Sequence, residues 1–527
     1  MHTRIARVLG GLLIGAAIVV GVELALRIAR VADDPRTHDP FAGFSSVVPM
    51  FEPAVRDDGT RVYRLSRARA QLNPQRGPLE PQREFLAEKP DDVFRIFVIG
   101  GSSAAGQPYS TRYAFSTWLE RRLEAALPER RFEVVNAALA GYASRRLVPV
   151  VEEIAGYQPD LLIVYMGHNE WAETMYYEHL LDMDPRLFRL LEWVYQTRIY
   201  ALVERLSSRL FAPDAVEDHE SIEIEARQNS IQMFAVQRDR VGGASYPTPR
   251  ELAYRDLLYE NNLNEMARAI EAAGGRVLLV TLSQNFSDWP PPASLHRDGL
   301  SDDEKRAFAE SMDEGSRLAE ESGDCEAALT AYARALEIDP SYADIHYRIA
   351  SCHRSLGQLP DARRHYRRAS DLDPVSHGAP TYFNDILRKV ARQRGAILVD
   401  ADAALEQESG AGLVGDDLFT DFAHPNLRAH QRIAAVTARA MREAGIPEPA
   451  ERWRDGDSVD PDPESLYRAE PELRTLELES RVFVCLVAYR DDCAAQAREL
   501  EWLDPGNRVA KWVIARAARR AEEAAAH

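Results

Sequence analysis

Phe94-Arg95-Ile96-Phe97-Val98-Ile99-Gly100-Gly101-Ser102-Ser103 is an apolar run that ends in two glycines and two serines. It reads as a buried strand leading into a turn with a serine at its mouth. A second run, Leu161-Leu162-Ile163-Val164-Tyr165-Met166, ends in Gly167-His168-Asn169-Glu170. Its unbroken apolar character is that of a strand buried on both faces of a parallel sheet. Between the two lies Val134-Val135-Asn136-Ala137-Ala138-Leu139-Ala140-Gly141-Tyr142, in which Gly141 has no side chain to keep its N–H from a substrate. Some three hundred residues after the first serine comes Asp421-Phe422-Ala423-His424-Pro425. An Asp three residues before a His places both side chains on one side of a turn or first helical turn.

Taken singly, each piece has a plainer reading: Gly-Gly-Ser-Ser as a turn, Asp-x-x-His-Pro as a capped loop or half a metal site. Together they supply a nucleophile, a base and an orienting carboxylate. A serine hydroxyl needs an imidazole to take its proton, and the imidazole needs a carboxylate to fix its tautomer. Asn169, at a strand end, offers an amide donor to a developing oxyanion, commonly worth about 3 kcal/mol of barrier. A metal role for Asp421, His424 and His430 has less behind it, because no further ligand cluster accompanies them.

These residues resemble the four ordered blocks of the SGNH (GDSL-type) hydrolases: Gly100-Gly101-Ser102, Gly141, Gly167-His168-Asn169-Glu170 and Asp421-Phe422-Ala423-His424. The departures are Gly101 and Glu170, each where the family usually has Asp. The resemblance implies an α/β fold, a flavodoxin-like parallel sheet with helices on both faces. It implies Ser102 as nucleophile, His424 as base and Asp421 as its partner. The oxyanion hole would be the amides of Ser102 and Gly141 with Asn169, and no metal or organic cofactor is implied. Ser103 is the neighbouring rival of Ser102, and His168 reads as a pocket-wall or structural residue.

A chain of 527 residues with 45% hydrophobic content is expected to form several domains. Its formal charge of −19, with lysine only at 89, 305, 389 and 511, argues against nucleic-acid binding. Cys325, Cys352, Cys485 and Cys493 are too few for a disulfide framework, though one or two bridges fit an oxidising compartment. Val8 to Ala25 is apolar except for Glu23, flanked by Arg4, Arg7, Arg27 and Arg30. Such a run is just adequate for a ~20-residue membrane helix. We expect an uncleaved anchor over 8–28, with the bulk of the chain extracytoplasmic. A cleaved signal peptide is the alternative, without a small-x-small site after the run.

Along the chain, residues 34–90 read as an extended lead-in. Alternating strands and helices occupy 91–171, 251–290 and 376–446, the pattern of one parallel sheet covered on both faces. Residues 172–250 are aromatic and amphipathic, either a lid or acyl pocket over the serine or helical packing near the domain or membrane surface. Between 302 and 375, Gly323, Ala328, Tyr332, Ala335 and Asp339-Pro340 recur at Gly357, Ala362, Tyr366, Ala369 and Asp373-Pro374. This 34-residue displacement resembles tetratricopeptide (TPR) repeats, here 309–342 and 343–376. Two repeats are too few to stand alone, so the helix at 302–319 or the host domain must cap them. Residues 447–527 hold a degenerate further unit around Trp502-Leu503-Asp504-Pro505.

The leading expectation is a membrane-anchored serine esterase acting on O-acyl esters of an envelope glycan or lipid. An O-acyltransferase acting on envelope polysaccharide uses the same residues. A TPR-bearing scaffold with an inactive hydrolase domain is the third alternative. By the TPR resemblance, the repeats bind a partner protein or serve as a spacer.

Overall fold

The computed structural model describes residues 2–31, 39, 41–66, 69, 84–177, 180, 183–211, 248–374, 378–454, 460–487 and 493–525. Five core strands, β4 (Val93–Gly100), β5 (Arg131–Asn136), β6 (Leu161–Tyr165), β7 (Arg276–Val280) and β8 (Ile397–Val399), form one sheet in the order β5-β4-β6-β7-β8. All four pairings are parallel. Every residue of β6 is buried, as its continuous apolar run requires. The helices fall into two packed groups. One joins α4 (Ser144–Ala155), α8 (Pro249–Ala272) and α13 (Phe383–Arg394); the other joins α3 (Phe115–Ala126), α14 (Ala401–Glu408) and α15 (Leu427–Glu443). Right-handed crossovers put these groups on opposite faces of the sheet. Gly100 of β4 is level with Tyr165 of β6, so the serine turn and the Gly167–Asn169 turn leave the sheet side by side. This is the carboxyl end of the strands, where open α/β sheets bind ligands.

The lead-in is more structured than expected. Within it, β1 (Phe51–Val55), β2 (Arg61–Leu65) and β3 (Glu84–Leu86) form a three-stranded antiparallel sheet. Phe51 and Phe85 are buried and meet edge-on at 5.0 Å, and both touch Phe97 of β4. Asp57-Asp58-Gly59 joins β1 to β2, and three-residue β3 is too short to show a period of its own.

Beyond the sheet's first half, α6 (Pro185–Tyr195) sets Phe188 and Tyr195 against Phe41, and α7 (Arg198–Phe211) packs on α1 (His2–Ile28). Residues 212–247 of the lid-like stretch lie outside the described residues. The expected anchor falls within α1, several of whose side chains also lie outside them. Among the described residues, no helix is long and apolar enough to cross a membrane.

Four helices, α9 (Asp302–Glu320), α10 (Cys325–Ile338), α11 (Ala343–Ser355) and α12 (Leu359–Leu372), enter the chain between β7 and α13. They pack as the pairs α9/α10 and α11/α12. The repeating small and aromatic residues Ala328, Tyr332, Ala335, Ala362, Tyr366 and Ala369 are all buried. Both caps foreseen are used. Phe308 and Met312 of α9 close one side, while Ala350, Ala362 and Tyr366 join the core of the sheet domain. After the sheet domain, α17 (Glu472–Val487), α18 (Ala494–Leu503) and α19 (Arg508–Ala525) share a small core, and Cys485 is bridged to Cys493.

At Gly315, in α9, a Cβ would run into the Tyr332 ring. Gly315→Ala therefore overpacks the first helix pair and is expected to destabilise the protein by about 1–3 kcal/mol, read by thermal unfolding. An unchanged melting profile would contradict this packing.

Candidate active site

The serine turn is set by a steric limit at Gly100. A Cβ there would overlap the carbonyl oxygen of Tyr165 and press on Ala104, so only glycine lets β4 end this close to β6. The chain then turns through Gly101 into α2 (Ser102–Ala105), leaving the Ser102 side chain partly exposed and that of Ser103 buried. The downstream segment folds back on itself, with the Thr420 N–H donating to the His424 carbonyl at 2.9 Å. Ser103 Oγ donates to the Ala423 carbonyl at 2.9 Å and ties this loop to the serine turn.

The fold thereby brings Ser102, His424 and Asp421 together. His424 Nε2 lies 2.7 Å from Ser102 Oγ, and Nδ1 lies 2.7 Å from Asp421 Oδ2. Asp421 is fully buried, and its Oδ1 accepts the N–H groups of Ala423 (3.0 Å) and His424 (3.1 Å). Burial raises the Asp421 carboxyl, but His424 and these N–H donors outweigh it and hold the group below its ordinary value. An ionised Asp421 accepts from Nδ1–H, which leaves Nε2 free to accept the serine proton. Of the two adjacent serines, only Ser102 has its hydroxyl against the imidazole.

The remaining predicted residues converge on the same place. Asn169 Nδ2 donates to the Tyr142 carbonyl at 3.0 Å, and a Cβ at Gly101 would collide with that amide. Gly101, where the family usually has Asp, therefore leaves room for Asn169 in this chain. Gly141 has φ +71°, and a Cβ on it would meet open space. Its left-handed backbone is one that glycine adopts without strain.

Glu170 and its neighbours fasten these loops from behind. Glu170 accepts from the Ser144 N–H (2.8 Å) and hydroxyl (2.7 Å). Glu173 accepts from the Ala143 N–H (2.9 Å) and pairs with Arg146 (2.6 Å), whose guanidinium lies 4.1 Å from the centre of the Tyr142 ring. This buried network fixes the Gly141–Tyr142 loop against the Asn169 turn. Burial, reinforced by Glu173, pushes the Glu170 carboxyl up to about 8.

His168 takes a structural place. Its Nδ1 accepts the Ala379 N–H at 3.0 Å, so the ring proton sits on Nε2, and burial with His424 nearby lowers its pKa to about 3. His430 is fully buried with its ring 6.4 Å from that of Tyr109, and burial with His424 nearby lowers it to about 3 as well. Both rings stay neutral beside His424.

One neighbour carries no motif in the sequence. Ser480 of α17 brings its Oγ to 3.4 Å from Asp421 Oδ2, and the next residue, Arg481, pairs with Asp416. The C-terminal helices thus reach the carboxylate of the site. A lone serine within a helix gives no signal from which this contact could be read.

Residues 98–314 match the GDSL-like Lipase/Acylhydrolase family, and residues 315–377 match a tetratricopeptide repeat family. The first match ends before Asp421 and His424, which the fold returns to Ser102. Similar solved structures include an α/β hydrolase from the metagenome of Lake Arreo, Spain (15% identity, 66% of this chain and 94% of that one, TM-score 0.29). Others are an acetylxylan esterase from Geobacillus stearothermophilus (11%, 66% and 94%, 0.28) and the acetyl xylan esterase AlAXEase (10%, 66% and 99%, 0.29). No curated protein matches the chain. The chain thus carries a GDSL-like lipase/acylhydrolase domain and tetratricopeptide repeats, the latter between β7 and β8. It is an ester-hydrolysing enzyme.

The raised Glu170 carboxyl makes stability depend on pH. A carboxyl that keeps its proton in the folded state up to about 8, against an ordinary value of 4.5, loses folding stability as pH rises between those values. Glu170→Gln removes this dependence. The melting temperature of the native protein minus that of the variant is expected to fall from pH 5 to pH 8 and then level off. A constant offset would contradict it.

Proposed function

We propose that the protein is a membrane-anchored, extracytoplasmic serine esterase that removes O-acyl groups from an envelope glycan or lipid. The observation that carries the chemistry is the unbroken chain Asp421–His424–Ser102, with both links at 2.7 Å. Ser102 Oγ attacks the ester carbonyl as His424 Nε2 takes its proton. The tetrahedral intermediate is held by the Ser102 and Gly141 N–H groups and the Asn169 amide, whose second hydrogen is not needed for Tyr142. His424 then gives the proton to the leaving alcohol, and water activated by the same imidazole releases the acyl group. Each oxyanion donor is worth about 10²–10³ in turnover.

Three features support the location. Within α1, Ile14, Ile18, Val20, Leu24 and Ile28 are each more than half exposed, which a helix in water gains nothing from. The single acid of that run, Glu23, is accommodated by accepting the Arg198 N–H (3.0 Å) and Ile199 N–H (3.1 Å) at the start of α7. Beside it, α6 exposes Leu187, Leu190, Leu191 and Trp193, spaced as an outward stripe suited to a bilayer interface. The Cys485–Cys493 disulfide fits an oxidising compartment.

Ser102→Ala is expected to lower kcat/KM for p-nitrophenyl acetate by on the order of 10⁴-fold or more, with the fold retained. Turnover within two-fold of the native enzyme would overturn the serine mechanism. Alkaline carbonate washing is expected to leave the full chain in the membrane pellet. Its quantitative release would overturn the anchor without touching the chemistry.

A further inference from the structure

Asp421 is fully buried, and an ionised carboxylate has about four lone-pair positions to satisfy. Three donors come from the base loop itself: Oδ1 takes the N–H groups of Ala423 and His424, and Oδ2 takes Nδ1–H of His424. The fourth comes from 59 residues further along the chain, where Ser480 Oγ stands 3.4 Å from Oδ2. One carboxylate oxygen thus faces the imidazole on one side and a hydroxyl of α17 on the other.

A serine inside a helix has a nearer partner than this. Ser311, Ser316, Ser351 and Ser355 of the repeat helices each donate to the carbonyl four residues back, the local bond open to any helical serine. Ser480 instead turns its hydroxyl out of the helix to Asp421. The helix is held in place for that contact. Arg481 pairs with Asp416, Asp416 accepts from Asn285 Nδ2 at 2.7 Å, and the Asn285 N–H donates to the Phe422 carbonyl at 3.0 Å. One turn further on, Val484 and Cys485 are buried with Trp289, and Phe422 packs against them. The same stretch of α17 therefore meets the base loop at its carboxylate, its backbone and its aromatic ring.

We propose that Ser480 is a positioning residue for the reaction, whose hydroxyl donates to Asp421 Oδ2 and so sets how the carboxylate holds the His424 ring. The proposal rests on the serine-esterase reading and adds to it a group supplied by the C-terminal helices. Two effects follow from one bond. It fixes the oxygen that orients the imidazole, and it draws off negative charge that would otherwise favour the imidazolium.

The test compares Ser480→Ala, and Ser480→Thr, which keeps the hydroxyl, with the native full chain on p-nitrophenyl acetate. Alanine is the better helix former, so α17 is retained in the first variant, and thermal unfolding checks it. Ser480→Ala is expected to lower kcat roughly five- to ten-fold with KM within two-fold. The acid limb of its kcat/KM profile should move up by about half a pH unit, because the unshared carboxylate favours the protonated ring. Ser480→Thr should stay within two-fold of the native enzyme with the limb unmoved. His168, His430 and the Arg481–Asp416 pair are the same in all three proteins, so the shift reports on Asp421 and His424. A native kcat and pH profile in Ser480→Ala, a loss of kcat with the acid limb in place, or a threonine variant as impaired as the alanine one would each overturn the proposal. Ser102→Ala, assayed alongside, separates it from the mechanism. An inactive Ser102→Ala beside a native-like Ser480→Ala overturns the role of Ser480 alone, whereas turnover retained in Ser102→Ala overturns the esterase reading and this role with it.

Discussion

The site depends on a contact that admits no side chain: β4 ends at Gly100 against the carbonyl of Tyr165. Because the two strands close up there, the turn that follows must start at the sheet edge, and Ser102 emerges beside the Gly167–Asn169 turn. Gly101 repeats the constraint one residue later against Asn169. Two consecutive glycines thus set where the hydroxyl and the amide donor stand, and the His424 loop is fitted to them through Ser103 and the Ala423 carbonyl. A side chain at Gly100 would force β4 away from β6, and one at Gly101 would push directly on the Asn169 amide.

Much of this was legible because the decisive signals are local. Apolar runs of strand length ending in glycine announced β4 and β6, and Asp421 and His424 lie three residues apart, so their contact follows from chain geometry. The 34-residue recurrence gave the repeats, since its Ala-Tyr-Ala residues fill the same buried positions in the two helix pairs. The parts that were not legible depend on tertiary partners. Glu170 reads as a minor departure until its carboxyl is seen holding Ser144, and Ser480 reads as an ordinary helix residue. The sheet β1–β3 was hidden because its strands are short and its burial comes from Phe97 and Tyr157, far along the chain.

The insertions change how the domain is understood. The repeats share the core of the sheet domain through Ala350, Ala362 and Tyr366, so their position relative to the His424 loop is fixed by packing. The C-terminal helices come from the other side, where Val484 and the Cys485–Cys493 pair are buried with Trp289 and touch Phe422. The short loop carrying the base is thus held between two helical units that a minimal hydrolase would lack.

The proposed mechanism makes Ser102, and not Ser103, the reacting group of a site assembled from distant parts of the chain. A fluorophosphonate probe followed by mass mapping of the adduct tests it directly. One adduct per chain is expected, on Ser102, lost in His424→Ala. No labelling, or an adduct on Ser103, would contradict it.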